Sequence, residues 1–216
     1  MKILDIHTHH QVPQPEGVIS VRPQEFNPLH GQYYSVGIHP WDTSAPISSD
    51  TWKLLEKYAS TPEVVAIGEC GIDTAKGAPL FIQMNTLRRQ IELSEKVEKP
   101  LVIHDVKAHD IIIGLRRDLS PRQPWVIHGF RGKPSVAAML VKAGLWISLG
   151  EKFNPAAITE IPKDMLLAET DDSLLSIIEI INGISGVAGY DLTDTIIANT
   201  LHFLGMPEET AARDIK

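Results

Sequence analysis

Ile3-Leu4-Asp5-Ile6-His7-Thr8-His9 is an apolar run that ends on paired imidazoles, and other runs along the chain end in the same manner: Val64-Val65-Ala66-Ile67-Gly68-Glu69, Leu101-Val102-Ile103-His104 and Trp125-Val126-Ile127-His128. A further run, Leu166-Leu167-Ala168-Glu169-Thr170-Asp171, ends on acids. A buried strand that stops on His, Glu or Asp delivers that group to one rim of a sheet. Strands of this kind closed into a barrel bring the groups to one place, and a metal ion is the simplest object on which they can converge.

Working outward from these runs, short β-rich stretches alternate with helical periodicity, the pattern of a parallel sheet wrapped by helices. Strands are expected near 3–7, 17–21, 33–38, 64–68, 100–103, 124–127, 145–149 and 166–169, eight in all, which predicts an α/β fold whose strands could close into a barrel. Helices are expected at 49–60, capped by Ser49 or Asp50, at 80–98, at 107–118, at 134–143 from Pro134, and in the last 45 or so residues. Within 80–98 the periodicity places Phe81, Met84, Leu87, Ile91 and Leu93 or Ser94 near one face. Residues 11–26 hold Pro13, Pro15, Gly17 and Pro23, so the helices after the first two strands are expected to be missing or reduced. No repeat, low-complexity tract or linker divides the chain, and residues 1–216 read as one domain.

The composition suits such a core. The chain has 216 residues, 43% apolar and 22% charged, an ordinary globular balance. One cysteine, Cys70, makes no internal disulfide, and Met1-Lys2-Ile3-Leu4-Asp5 has no secretory leader pattern, so the cytoplasm is the expected compartment. No apolar stretch approaches the roughly 20 residues of a membrane span. The net charge of −7 disfavours bulk attraction of nucleic acid, although divalent ions reverse the local sign at a carboxylate-rich site.

Side chains at i and i+2 of a strand point the same way, so His7 and His9 can face one ion, with Asp5 on the same face as an orienting group. His10 points elsewhere. His104 and His128 close apolar strands, where an imidazole serves either as a ligand or as a satisfied structural group. Glu69 sits at a strand end between Gly68 and Cys70; its plain alternative is a surface acid. Asp171 has an alternative as the cap of a helix beginning near Ser173. Each is ordinary alone. Their shared position at successive strand ends is what points to metal.

The set Asp5-Ile6-His7-Thr8-His9, Val36-Gly37-Ile38-His39-Pro40, Ala66-Ile67-Gly68-Glu69-Cys70-Gly71-Ile72-Asp73, Lys99-Pro100-Leu101-Val102-Ile103-His104, Val126-Ile127-His128-Gly129-Phe130, Ile147-Ser148 and Ala168-Glu169-Thr170-Asp171 resembles the TatD family of metal-dependent hydrolases. Asn199-Thr200-Leu201 is similar to the family's C-terminal Asn. The resemblance implies a TIM-type barrel with two divalent ions, His7, His9 and Asp171 on one, His104 and His128 on the other, and Glu69 bridging. Zn2+, Mn2+ and Mg2+ all fit carboxylate bridging, the histidines leaning toward transition metals. It further implies a water made nucleophilic by the ions, Asp171 as general base beside Glu69, and a phosphodiester substrate, DNA or a nucleotide.

His39 is the best candidate for supporting the ligands or touching a substrate phosphate; its alternative is packing against Pro40 and Trp41. The family's Arg after the fifth-strand His is absent from His104-Asp105-Val106-Lys107-Ala108, and Lys107 would replace it only as a point charge. Arg131, after His128, could supply charge near the rim. These departures keep open hydrolysis of a carboxylic ester, lactone or amide, and a non-catalytic metal-binding relative. Leu174 to Ile184 is more apolar than one helix face requires and is expected to be buried against the barrel, the alternative being a second subunit. The oligomeric state is not encoded legibly.

Overall fold

The computed structural model describes residues 3–10 and 16–207. Eight parallel strands pair in chain order and close into a barrel: β1 (Asp5–Thr8), β2 (Gly17–Val21), β3 (Tyr33–Val36), β4 (Val64–Asp73), β5 (Leu101–Val106), β6 (Trp125–Ile127), β7 (Trp146–Leu149) and β8 (Leu166–Ala168). Most are rich in apolar residues because the inner face meets the barrel filling and the outer face the surrounding helices. All ten residues of β4 are buried.

The outer layer comprises α1 (Ser49–Ala59), α2 (Leu80–Val97), α3 (His109–Leu119), α4 (Pro134–Lys142), α5 (Ile177–Ala188) and α6 (Thr193–Phe203). Among the described residues no helix lies between β1 and β2 or between β2 and β3, as the proline content predicts. Part of the first connection, with Pro13 and Pro15, falls outside the described residues, as does the chain beyond 207. The β7–β8 connection, unforeseen in the sequence, is also reduced, holding only 3₁₀ turns at Pro155–Glu160 and Lys163–Met165.

Several local expectations are corrected. The cap of α1 is Ser48, whose hydroxyl accepts from the Thr51 amide, rather than Ser49 or Asp50. Phe81 is 65% exposed, and α2 turns Gln83, Thr86, Leu87, Gln90, Ile91 and Ser94 inward instead. The glutamines displace hydrocarbon there because they bind backbone groups at the strand ends. The helix after β8 begins at Ile177, capped by a Ser176–Glu179 capping box, so Asp171 caps nothing. Its inner face, Ile177, Ile180, Ile181 and Ile184, is buried, whereas Leu174 is 98% exposed and Leu175 and Ile178 are also exposed; the whole segment is therefore not packed on the barrel. Asn199 on α6 donates to the carbonyls of Lys163 at 2.6 Å and Leu166 at 2.8 Å, holding the entry to β8.

Candidate metal centre

Glu69 reaches the barrel mouth through an irregularity in β4. Ile67 pairs with Leu101 and Cys70 with Ile103, so β4 carries one residue more than β5 across this interval. Gly68 makes that possible: its φ is +149°, and a Cβ there would lie 2.6 Å from the Val102 carbonyl oxygen. Gly37 is equally constrained, since its Cβ would lie 2.7 Å from the Gly68 backbone. The strands are thus in backbone contact just where the carboxylate turns inward, 6% exposed.

His7 and His9 come from β1 and the residues after it, and Asp171 from just beyond β8. The Asp171 amide donates to the His7 carbonyl at 3.0 Å and the His9 amide to the Asp171 carbonyl at 3.1 Å, extending the barrel pairing past the formal strands. Asp171 has φ +53°, a left-handed conformation that Asp tolerates better than most residues. Asp5 does not orient an imidazole, contrary to the sequence expectation. Its carboxylate accepts from the Thr170 amide at 3.0 Å, the Thr170 hydroxyl at 2.6 Å and the His7 amide at 3.2 Å, fixing the backbone of both arms. Burial pushes the Asp5 carboxyl up to about 7.

The side chains divide around Glu69. Its Oε2 lies 3.2 Å from His9 Nε2 and 3.5 Å from His7 Nε2, while Asp171 Oδ1 lies 3.7 Å and 3.9 Å from the same nitrogens. Its Oε1 lies 2.7 Å from His128 Nε2, 2.8 Å from His104 Nδ1 and 3.0 Å from His39 Nε2. Ligand atoms that share one ion sit roughly 3–4 Å apart, so the His7–His9–Asp171 side already has that spacing, while the His104–His128 side is drawn closer by direct hydrogen bonds. The structure brings His7, His9, Glu69, His104, His128 and Asp171 together, with His39 beside them.

The donor set fits a cation on independent grounds. His7 is fully buried, and neither ring nitrogen has a hydrogen-bond partner. Leaving such groups unpaired costs about 1–3 kcal/mol each, a penalty that metal coordination at Nε2 would reduce. Burial holds the His7 imidazolium well below the usual histidine range, which keeps the ring neutral and its lone pair open. Burial alone would raise the Glu69 carboxyl, but the facing imidazoles outweigh it and hold the group well below the usual carboxylate range. His9 is raised by its hydrogen bond with Glu69. Burial would lower His128, yet the Glu69 and Glu169 carboxylates flanking its two nitrogens raise it well above the ordinary value. With Nδ1 donating to Glu169 Oε1 at 3.2 Å, His128 Nε2 can face Glu69 either as N–H or through a cation.

His39 behaves differently. The Trp41 amide donates to its Nδ1 at 3.1 Å, so the neutral ring carries its proton on Nε2 and donates that proton to Glu69. It holds the Glu69 carboxylate rather than offering a lone pair. Two orienting acids escaped the sequence reading although both stood in the quoted segments: Glu169 behind His128, and Asp73, whose Oδ2 lies 3.4 Å from His104 Nε2 and accepts from Trp41 Nε1 at 2.7 Å. Their distance in sequence from the imidazoles they hold hid the pairing.

Cavities flank the cluster on two sides. One, of about 280 Å³, is walled by His9, Arg22, Glu25, His39, Trp41 and Glu69. The other, of about 320 Å³, runs past Asp171 to Arg131, Lys152 and Leu174. Arg131 therefore stands on the rim, while Lys107 is exposed at the turn after β5 and lines neither of these cavities.

A family model described as TatD related DNase matches residues 26–176. A protein of Bacillus subtilis named as an uncharacterized metal-dependent hydrolase is 31% identical over 154 residues, covering 67% of this chain and 60% of that protein. A protein of Erwinia billingiae named as a 3'-5' ssDNA/RNA exonuclease is 32% identical over 147 residues, covering 63% of this chain and 56% of that protein. The matched stretch thus spans well under two thirds of these relatives. Among solved structures, the TatD homologue YjjV of Escherichia coli superposes with a TM-score of 0.78 at 20% identity, covering 95% of this chain and 98% of that one. A TatD family hydrolase of Entamoeba histolytica superposes with a TM-score of 0.73 at 15% identity, over 94% and 98% of the two chains.

Proposed function

The chain belongs to the TatD family of metal-dependent hydrolases, and on that premise we propose that it cleaves phosphodiester bonds of DNA or a nucleotide, with two divalent ions held by its own side chains and Asp171 as the base. The observation that carries this reading is the division of Glu69, one oxygen toward His7 and His9, the other toward His104 and His128. Divalent ions bound there would lower the pKa of a water and polarise a phosphoryl oxygen. Zn2+, Mn2+ and Mg2+ remain the candidate ions.

The residues contribute as follows. Asp171 is 24% exposed at the mouth, within reach of entering water, and its backbone bonds to β1 keep the carboxylate in place to accept a proton. Glu169 and Asp73 hold the His128 and His104 rings, and His39 donates to Glu69, so the bridging carboxylate has little freedom to swing. Arg131 offers a charge to a phosphate at the rim. Among the described residues no helix is long and apolar enough to cross a membrane.

Hydrolysis of a carboxylic ester, lactone or amide is favoured by one observation: Val106 stands where the resemblance would place Arg, and Lys107 beside it lies away from both flanking cavities. The test is to supply the purified chain with Zn2+, Mn2+ or Mg2+ and measure turnover of single-stranded DNA, a chromogenic phosphodiester and a panel of esters and lactones. Phosphodiester cleavage that a chelator abolishes and fresh metal restores is the expected result. Lactone turnover without phosphodiester cleavage would overturn the proposal, and no turnover in either panel would favour a metal-binding relative.

A further inference from the structure

Of the four tryptophans, Trp52, Trp125 and Trp146 are 8%, 0% and 9% exposed, whereas Trp41 is 44% exposed. This exposure is not looseness. The Trp41 indole N–H donates to Asp73 Oδ2 at 2.7 Å, and the ring stands edge-on to His39 at 4.7 Å and to His104 at 5.8 Å. The Lys76 ammonium lies 3.8 Å from its centroid, and the ring also walls the cavity bounded by His9, Arg22, His39 and Glu69. An aromatic ring locked by its neighbours yet open toward a cavity is a stacking surface.

Arg22 completes the same cavity. It follows β2 directly, at the start of a connection that carries no helix. Asp42 Oδ2 takes its Nε–H at 2.7 Å and Glu25 lies 3.9 Å from Nη1, so the guanidinium is oriented by its neighbours while its outer edge remains half-exposed. A guanidinium held in this way suits the planar two-point contact that phosphate accepts. Its presence answers the lack of Arg after His104, supplying from β2 a group the sequence lacks on β5.

We propose that the cavity between the ends of β2 and β3 seats one nucleotide of the substrate, its base on Trp41 and its phosphate against Arg22, beside the ions held at Glu69. The cavity's volume of about 280 Å³ suits one such unit. The identification of the ligand as a nucleotide rests on the phosphodiester reading; the cavity, its aromatic wall and its guanidinium do not.

The test is binding, read without turnover. Protein supplied with Mg2+ or Zn2+ is titrated with dAMP, deoxyribose 5-phosphate, deoxyadenosine and inorganic phosphate, following tryptophan fluorescence and calorimetric heat. Saturable quenching by dAMP that disappears in Trp41→Phe is expected. Calorimetry should give a loss of dAMP affinity of about tenfold in Trp41→Leu, with deoxyribose 5-phosphate unaffected, because stacking of one base carries an effect of that order. Arg22→Gln should weaken dAMP and deoxyribose 5-phosphate alike by about tenfold or more and leave deoxyadenosine unchanged. Arg22→Lys, which keeps the charge and removes the fork, should fall between, and it serves as the readout if Arg22→Gln is not folded by circular dichroism. Equal dAMP affinity in the wild type, Trp41→Leu and Arg22→Lys would overturn the assignment, as would absence of dAMP binding in a preparation that cleaves phosphodiesters. Binding with the expected dependence on Trp41 and Arg22, in a protein that cleaves no phosphodiester, would sink the catalytic reading and leave the seat standing.

Discussion

Glu69 is the side chain on which the others depend, because a single carboxylate meets imidazoles on both of its oxygens. Asp171 differs in kind: it approaches His7 and His9 only to 3.9 Å and 3.7 Å and is 24% exposed, which suits the role of base proposed for it. Asp171→Asn retains the left-handed backbone preference and one oxygen toward the proposed ion but removes the proposed base. Hydrolysis is expected to fall by about 10²–10⁴-fold while metal content per chain, measured by elemental analysis, stays near the wild-type value. A full rate in Asp171→Asn would remove the residue from proton transfer. The members of this cluster were legible in the sequence because each ends an apolar run. Asp5, Asp73 and Glu169 were visible too, but their roles were not: an acid that orients a neighbour is recognised by which atom it faces, and sequence spacing does not encode that. Trp41 and Arg22 gave still less signal, since a tryptophan after Pro40 reads as packing and an arginine after β2 reads as a solvated charge.

At the scale of elements, α2 shows how a helix can serve the site without touching it. Gln90 is fully buried, its Oε1 accepting from the Ile38 amide at 2.8 Å and its Nε2 donating to the Ile38 carbonyl at 3.0 Å. Ile38 immediately precedes His39, so one amide side chain fixes the end of β3 where regular pairing stops. Gln83 does the same for β4, accepting from the Asp73 amide at 2.8 Å and donating to its carbonyl at 3.0 Å. Gln90→Leu matches the shape but strands a buried N–H and C=O, at about 1–3 kcal/mol each. Urea denaturation should show a stability loss of about 2–4 kcal/mol, and turnover should drop because His39 loses its anchor. A stability change within about 0.5 kcal/mol, the range of an ordinary surface substitution, would mean the end of β3 is held by something else. Strands were easy to find because both faces are apolar. The inward face of α2 was misassigned because hydrophobic periodicity counts Gln as outward, and here backbone satisfaction overrides that rule. That the described residues after β1 and β2 hold no helix was legible from proline, whereas the 3₁₀ turns before β8 carry no comparable marker.

Over the whole molecule, the ligand groups come from arms far apart in the chain: β1, the span from β4 to β6, and the residues after β8. The barrel is closed where β8 meets β1, and at this seam Asp5 pairs with Ala168, extended by the Thr8–Asp171 bridge. An ion held jointly by His7, His9, Glu69 and Asp171 would tie that seam to the opposite wall. Such an ion binds the folded chain alone, so it stabilises by about 2.7 kcal/mol when present at a hundred times its dissociation constant. For a chain of this size each kcal/mol moves the melting temperature by about 2–4 °C, so chelation should lower it by about 5–10 °C and metal addition should restore it. Glu69→Gln keeps the shape of the bridging side chain and removes its charge. If the clusters share Glu69, the melting temperature of this variant should respond to chelator and metal much less than that of the wild type. A wild-type-sized response in Glu69→Gln would instead place the stabilising ion away from the barrel mouth, and the convergence of strand ends on one centre would no longer explain why these side chains lie together.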